Sequence, residues 1–105
     1  MTFRVELSRR AEADIKSAYA YIRKHGPADP SAWKAGLEQK LTGLETFPEA
    51  CGLAPENEFV KAEIRQALYG PFRILFTIRE QIVFVLTVRH AARLDLERDE
   101  LDKIQ

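Results

Sequence analysis

Residues 69–93, YGPFRILFTIREQIVFVLTVRHAAR, decide the fold. The stretch is rich in branched and aromatic side chains. Its two apolar runs, FRILFTIR (72–79) and IVFVLTVR (82–89), are separated only by Glu80-Gln81, a connection too short for anything but antiparallel neighbours. Gly70-Pro71 acts the same way upstream, so EIRQALY (63–69) is predicted as the first strand of a three-stranded meander. Side chains two apart share a strand face. Sorted by that rule, Phe72, Ile74, Phe76 and Ile78 join Ile82, Phe84, Leu86 and Val88 on one apolar face. Arg73, Leu75, Thr77 and Arg79, with Val83, Val85, Thr87 and Arg89 and with Glu63, Arg65, Ala67 and Tyr69, make a mixed, cationic second face. His90 has the parity of the apolar face but stands at the strand end, where it reaches the rim.

The apolar face needs a cover, and the N-terminal half supplies two helices. FRVEL (3–7) alternates apolar and polar residues and is predicted as a short first strand. Ser8 then caps a helix over 9–25, in which Ala11, Ile15, Ala18, Tyr19 and Ile22 recur at helical spacing before Gly26-Pro27. Asp29 caps a second helix with Pro30 at its first position. Trp33, Leu37, Leu41 and Leu44 form its apolar stripe, and Pro48 ends it. Two helices joined by a few residues lie antiparallel as a hairpin. Residues 48–62 contain turn formers and read as a loop, and LDLERDELDKIQ (94–105) reads as a short C-terminal helix. The prediction is an α+β fold in β-α-α-β-β-β order, with the helical hairpin on one face of an antiparallel sheet and the cationic face open to a partner.

Composition narrows the function classes. At 105 residues, 46% apolar and 30% charged, the chain (1–105) is expected to form a single soluble domain without repeats or low-complexity tracts. No apolar run approaches the roughly 18 residues of a membrane span and no secretory leader is evident, so a cytoplasmic location is expected. Cys51 is alone and the only imidazoles are His25 and His90, so no metal site and no cofactor are expected. The net charge is zero but unevenly spread. Residues 1–60 carry 8 basic and 9 acidic side chains, 61–93 carry 6 and 2, and 94–105 carry 2 and 5. A basic sheet region points to an anionic partner for one face.

Among individual residues, Arg73 lies early in its strand, where its planar fork of donors suits a carboxylate or phosphate. Arg79, beside the turn, is most simply solubilising. Cys51 is most simply a loop thiol and Trp33 a core anchor, and His90 taken alone reads as a satisfied structural imidazole.

Taken in order along the chain, VELSRRAEADIKSAYAYI, LTGLETFPEACGLAPE, IRQALYGPFRILFTI and VFVLTVRHAARLD resemble toxins of the RelE/ParE superfamily, from bacterial type II toxin–antitoxin (plasmid stabilisation) systems. The His-x-x-Arg ending RHAARLD, the SRRAEADI opening and the neutral charge resemble the ParE branch more closely. The resemblance implies the same β-α-α-β-β-β core and a cognate antitoxin that folds over the toxin. It also implies one of two activities. ParE-like members inhibit DNA gyrase through a surface and are not enzymes in their own right. For that reading the target-binding face is Lys61, Arg65, Arg73, Arg89 and Arg93. RelE-like members cleave messenger RNA on the ribosome as endoribonucleases, attacking the phosphate with the ribose 2′-OH. For that reading the catalytic set is Arg73, His90 and Tyr69, with Lys61, Arg65 or Arg89 as electrostatic support. A third implied state is a diverged member that only binds antitoxin. A neutral chain is poorly suited to a channel of RNA phosphates, which favours the gyrase reading.

Overall fold

The computed structural model describes residues 2–26, 29–56 and 63–90. The C-terminal helix expected over 94–105, and Lys61 and Arg93 with it, lie outside these residues. The elements run β1 (Arg4–Leu7), α1 (Arg9–His25), α2 (Pro30–Gly43), a 3-10 turn (Pro48–Ala50), β2 (Arg65–Tyr69), β3 (Phe72–Arg79) and β4 (Ile82–His90). This is the expected element order. The four strands form one sheet in the order β1-β4-β3-β2. It is mixed rather than wholly antiparallel, because β1 lies parallel to β4.

Local chemistry places the helix ends. The Ser8 hydroxyl accepts the Ala11 N–H at 2.9 Å and donates to the Leu86 carbonyl at 2.7 Å. One side chain thus caps α1 and pins its start to β4. The Asp29 carboxylate accepts the Ser31 N–H at 3.0 Å, with Pro30 in the first turn of α2. The second helix stops at Gly43, before Pro48. Thr42 and Gly43 are weak helix formers, and the Glu45 carbonyl leaves the helix path to accept the Phe3 N–H at 2.7 Å at the edge of β1. Leu37, Leu41 and Leu44 stay buried, with Ala11 of α1, against Ile74, Phe76, Val83, Val85 and Val88 of the sheet.

That cluster corrects the parity sorting. A two-residue turn pairs Arg79 with Ile82, so Ile78 lies across from Val83 and residues of opposite parity share a face. Val83 and Val85, not Phe84 and Leu86, therefore meet the helices. Between the pairs Phe76–Val85 and Leu75–Thr87 the register shifts by one residue, leaving Leu86 as the extra residue of a bulge. Beyond it equal parity holds, with Ile74 across from Val88 and Phe72 across from His90. The same turn rule in the β2–β3 hairpin sets Ala67 across from Ile74 and Tyr69 across from Phe72, both on the helix side.

The second face is not open. Leu75 and Leu86 are fully buried there beneath Ala54 and Ile64. The loop before β2 makes this cover: Ala54 N–H donates to the Ile64 carbonyl at 2.7 Å, Gln66 N–H donates to the Gly52 carbonyl at 3.0 Å, and Leu53 bridges to Arg65. Residues 52–54 thus run beside the start of β2 as a rudimentary fifth strand and close its edge.

Gly36 admits a close approach of the Tyr69 ring to α2. A Cβ built there would stand 2.2 Å from the Tyr69 hydroxyl oxygen. Gly36→Ala is therefore expected to push Tyr69 off its site and lower stability by about 1–3 kcal/mol despite the better helix propensity of alanine, as read by urea denaturation. An unchanged midpoint would show that the ring moves freely.

Candidate functional site

The arginines that sequence alone groups on one face are distributed over both. Arg65 lies across from Phe76 on the helix side of the edge strand. Its guanidinium donates to the carbonyls of Cys51 (2.6 Å) and Glu49 (3.3 Å) and pairs with Glu63 at 3.1 Å. Arg65 thus ties the turn after α2 to β2. Arg73 and Arg89 are directly paired across β3 and β4 on the other face. Like charges in that position repel, so a compensating anion is expected. Glu56 provides it.

Arg73 is 6% exposed, and its Nη2 lies 2.6 Å from the Oε1 of Glu56, a residue with no exposed surface. Its Nε donates to the Gln66 side-chain oxygen at 3.0 Å. The guanidinium is committed to holding the loop cover over Leu75 and Leu86. A solvent-facing cation at this position, as expected from sequence, is corrected to a buried ion pair. Glu56 lies in a loop without periodicity, and nothing short of the tertiary structure distinguishes it from its acidic neighbours.

The other members of the suggested ribonuclease set stand on the opposite side of the sheet from Arg73. Tyr69, Phe72 and His90 form one row across β2, β3 and β4 on the helix side. The Tyr69 hydroxyl donates to the Trp33 carbonyl at 2.7 Å. Trp33 packs on Phe72 with centroids 5.3 Å apart and ring planes tilted by 59°, and Phe72 meets His90 edge-on at 5.4 Å. The row is an aromatic strip ending in an exposed imidazole. Its register brings Tyr69 and His90 together with Phe72 between them and leaves Arg73 behind the sheet.

The exposed end of this strip opens into a groove of about 540 Å³ between α1 and β4, lined by Asp14, Tyr21, Phe72, Val88, Arg89 and His90. Asp14 fixes its geometry. The carboxylate accepts from the Thr87 hydroxyl and from the Val88 N–H at 3.2 Å, and pairs with Arg10 at 3.5 Å. With its acceptors directed to β4, Asp14 holds α1 against the strand. Tyr21 stands on the same α1 wall two turns further on, with its ring 4.9 Å from that of His25. The groove combines an apolar floor with half-polar walls, which suits an aromatic or aliphatic side chain of a partner protein. No cluster of three or more metal-ligating side chains occurs among the described residues.

The sequence profile described as "ParE toxin of type II toxin-antitoxin system, parDE" matches residues 5–95. The chain belongs to this family. Comparison with curated proteins gives no match. Among solved structures, the chromosomal ParDE system of P. aeruginosa superposes with a TM-score of 0.67 at 17% identity, covering 85% of this chain and 96% of that one. The RelBE2 toxin–antitoxin complex of Mycobacterium tuberculosis gives a TM-score of 0.60 at 21% identity over 86% and 99% of the two chains. The archaeal RelE–RelB complex of Pyrococcus horikoshii gives 0.59 at 16% identity over 90% and 100%. The ParE-family chain therefore has the fold common to ParE and RelE toxins, with both helices on one side of a four-stranded mixed sheet. No helix among the described residues is long and apolar enough to cross a membrane.

Proposed function

We propose that this ParE-family toxin is neutralised by a cognate antitoxin and acts, when free, as an inhibitor of DNA gyrase rather than as a ribonuclease. The observation that carries the choice is the burial of Arg73 against Glu56. A ribonuclease acting through the 2′-OH needs a cation at the phosphate within reach of its proton carriers. Here the strand arginine that the ribonuclease reading assigns to the phosphate is consumed by a structural carboxylate on the far side of the sheet from His90 and Tyr69, and the cation that does share the His90 groove, Arg89, has only the supporting role in that reading. Gyrase inhibition requires a binding surface, and membership of the ParE family supports that reading. The antitoxin partner is carried over from the ParDE and RelBE systems that share the fold.

Two assays separate the activities. Purified chain is expected to inhibit gyrase supercoiling and to leave ribosome-bound messenger RNA intact; cleavage with unaffected supercoiling overturns the proposal. His90→Gln supplies a second measurement. A catalytic imidazole contributes on the order of 10²–10⁴-fold to a rate. As a rim residue of a binding surface, His90 is expected to shift the growth-inhibiting dose by less than about 10-fold, corresponding to about 1.4 kcal/mol of contact energy.

A further inference from the structure

An exposed charged surface lies away from the groove, on the outward side of α1. Arg9, Lys16 and Arg23 recur at seven-residue intervals and fall on one helix face, with Ala13 and Ala20 between them and Lys24 on the flank. All six are exposed. At 1.5 Å per residue the three cations span about 21 Å, spaced about 10 Å apart. No ion pair joins any of them to another described residue. Glu12 is the one acid bordering the row.

Helix stability does not account for the pattern. Cations in a last turn are favoured by the helix dipole, which explains Arg23 and Lys24, but a cation in the first turn opposes it by about 0.3–1 kcal/mol. Arg9 is therefore placed against the helix's own electrostatics. Nor do the cations sit four residues from acids in a ladder of stabilising pairs; only Glu12 and Lys16 have that spacing.

The side chains between the cations indicate the occupant's chemistry. A protein partner is anchored by buried aromatic or large aliphatic groups, and single-stranded nucleic acid by aromatic stacking platforms. This face offers alanine in those places, so nothing stands proud of the cations. A straight, low-relief row of charges suits a polyanion whose own charges are regularly spaced on a rigid surface, as are the phosphates of a duplex. We propose that the outward face of α1 docks on the phosphate backbone of duplex DNA, with Arg9, Lys16 and Arg23 as the contact residues. The choice of DNA among duplexes rests on the gyrase reading, since gyrase holds its target as duplex DNA.

Three phosphate contacts give log K a salt slope of about −2.7, which is about a 40-fold loss of affinity between 50 and 200 mM salt. Fluorescence anisotropy of a labelled 20-base-pair DNA duplex with the purified chain reads both affinity and slope. The triple substitution Arg9→Gln, Lys16→Gln and Arg23→Gln is expected to remove most of the binding and flatten the slope. Arg9→Lys with Arg23→Lys is expected to retain binding, because backbone phosphates read charge rather than fork geometry; this variant also controls for folding. Equal binding by wild type and triple glutamine variant overturns the proposal, as does a single-stranded RNA that competes better than the duplex. Gyrase supercoiling is measured on the same preparations. Inhibition without DNA binding sinks the docking surface and spares the gyrase reading, and salt-dependent DNA binding without inhibition does the reverse.

Discussion

Arg73→Ala is expected to destabilise the protein by about 3–5 kcal/mol, the cost of leaving a buried carboxylate without its guanidinium. For a chain of this size that lowers the melting temperature by more than about 12 °C. Two features place the effect at the upper end of ordinary substitutions. Glu56 has no exposed surface on which to regain water, and the pair holds a loop that covers Leu75 and Leu86. The companion experiment replaces both partners, Arg73→Met with Glu56→Leu. Exchanging a buried pair for apolar groups of similar volume is often neutral or stabilising, so most of the lost stability should return. Denaturant melts of the two single variants and the double variant form a cycle that isolates the coupling. Growth arrest read on the same variants separates structure from chemistry. Arrest lost in Arg73→Ala and regained in the double variant assigns the arginine to the fold. Arrest lost in both, with the double variant stable, assigns it a direct role at the target.

That experiment bears on what the sequence could convey. The helices were legible because the 3.6-residue period, the Ser8 and Asp29 caps and Pro30 are local signals that agree with one another. The meander was legible because Gly70-Pro71 and Glu80-Gln81 leave no room for another connection. The parity of β4 up to Val85 was legible too, because a two-residue turn pairs Arg79 with Ile82 and sets residues of opposite parity on one face; only the shift at Leu86 was not, since a bulge has no signature in a largely apolar run. Two further features depend on relations between distant residues. The parallel seating of β1 joins the two ends of the fold, through Ser8 to Leu86, and periodicity within either segment cannot report it. The cover over the second face is made by a loop without period, so counting two helices against one sheet left that face apparently bare. The candidate site inherits the same division. The position of His90 at the end of β4 is legible because it depends only on where the strand stops, whereas the surroundings of Arg73 are not, because they depend on Glu56. The cationic row of α1 was hidden by summation: 8 basic against 9 acidic side chains over residues 1–60 conceals a face on which the signs are segregated.

The register of the β3–β4 turn supplies the second large effect. Val85→Asp is expected to abolish the folded state, with loss of the thermal transition and of soluble protein. Val85 is fully buried and lies across from Phe76, within the cluster that joins Leu37 and Leu41 to the sheet. The buried members of that cluster are all aliphatic or phenyl side chains, so an aspartate meets no cation or side-chain donor among them. Burying it costs several kcal/mol either as a charge or as a protonated acid, on the scale of the roughly 5–15 kcal/mol by which a domain is stable. The result is diagnostic because simple alternation from Phe72 puts Val85 on the face away from the helices, and on the sequence expectation that this face is open to solvent the same substitution would change stability by less than about 0.5 kcal/mol. Val85→Ile is the control. It keeps the site apolar and adds one methylene, so it is expected to cost no more than about 1–3 kcal/mol and to leave a cooperative melt. A stable, cooperative Val85→Asp protein would place Val85 outside the core and overturn the turn register that seats it across from Phe76.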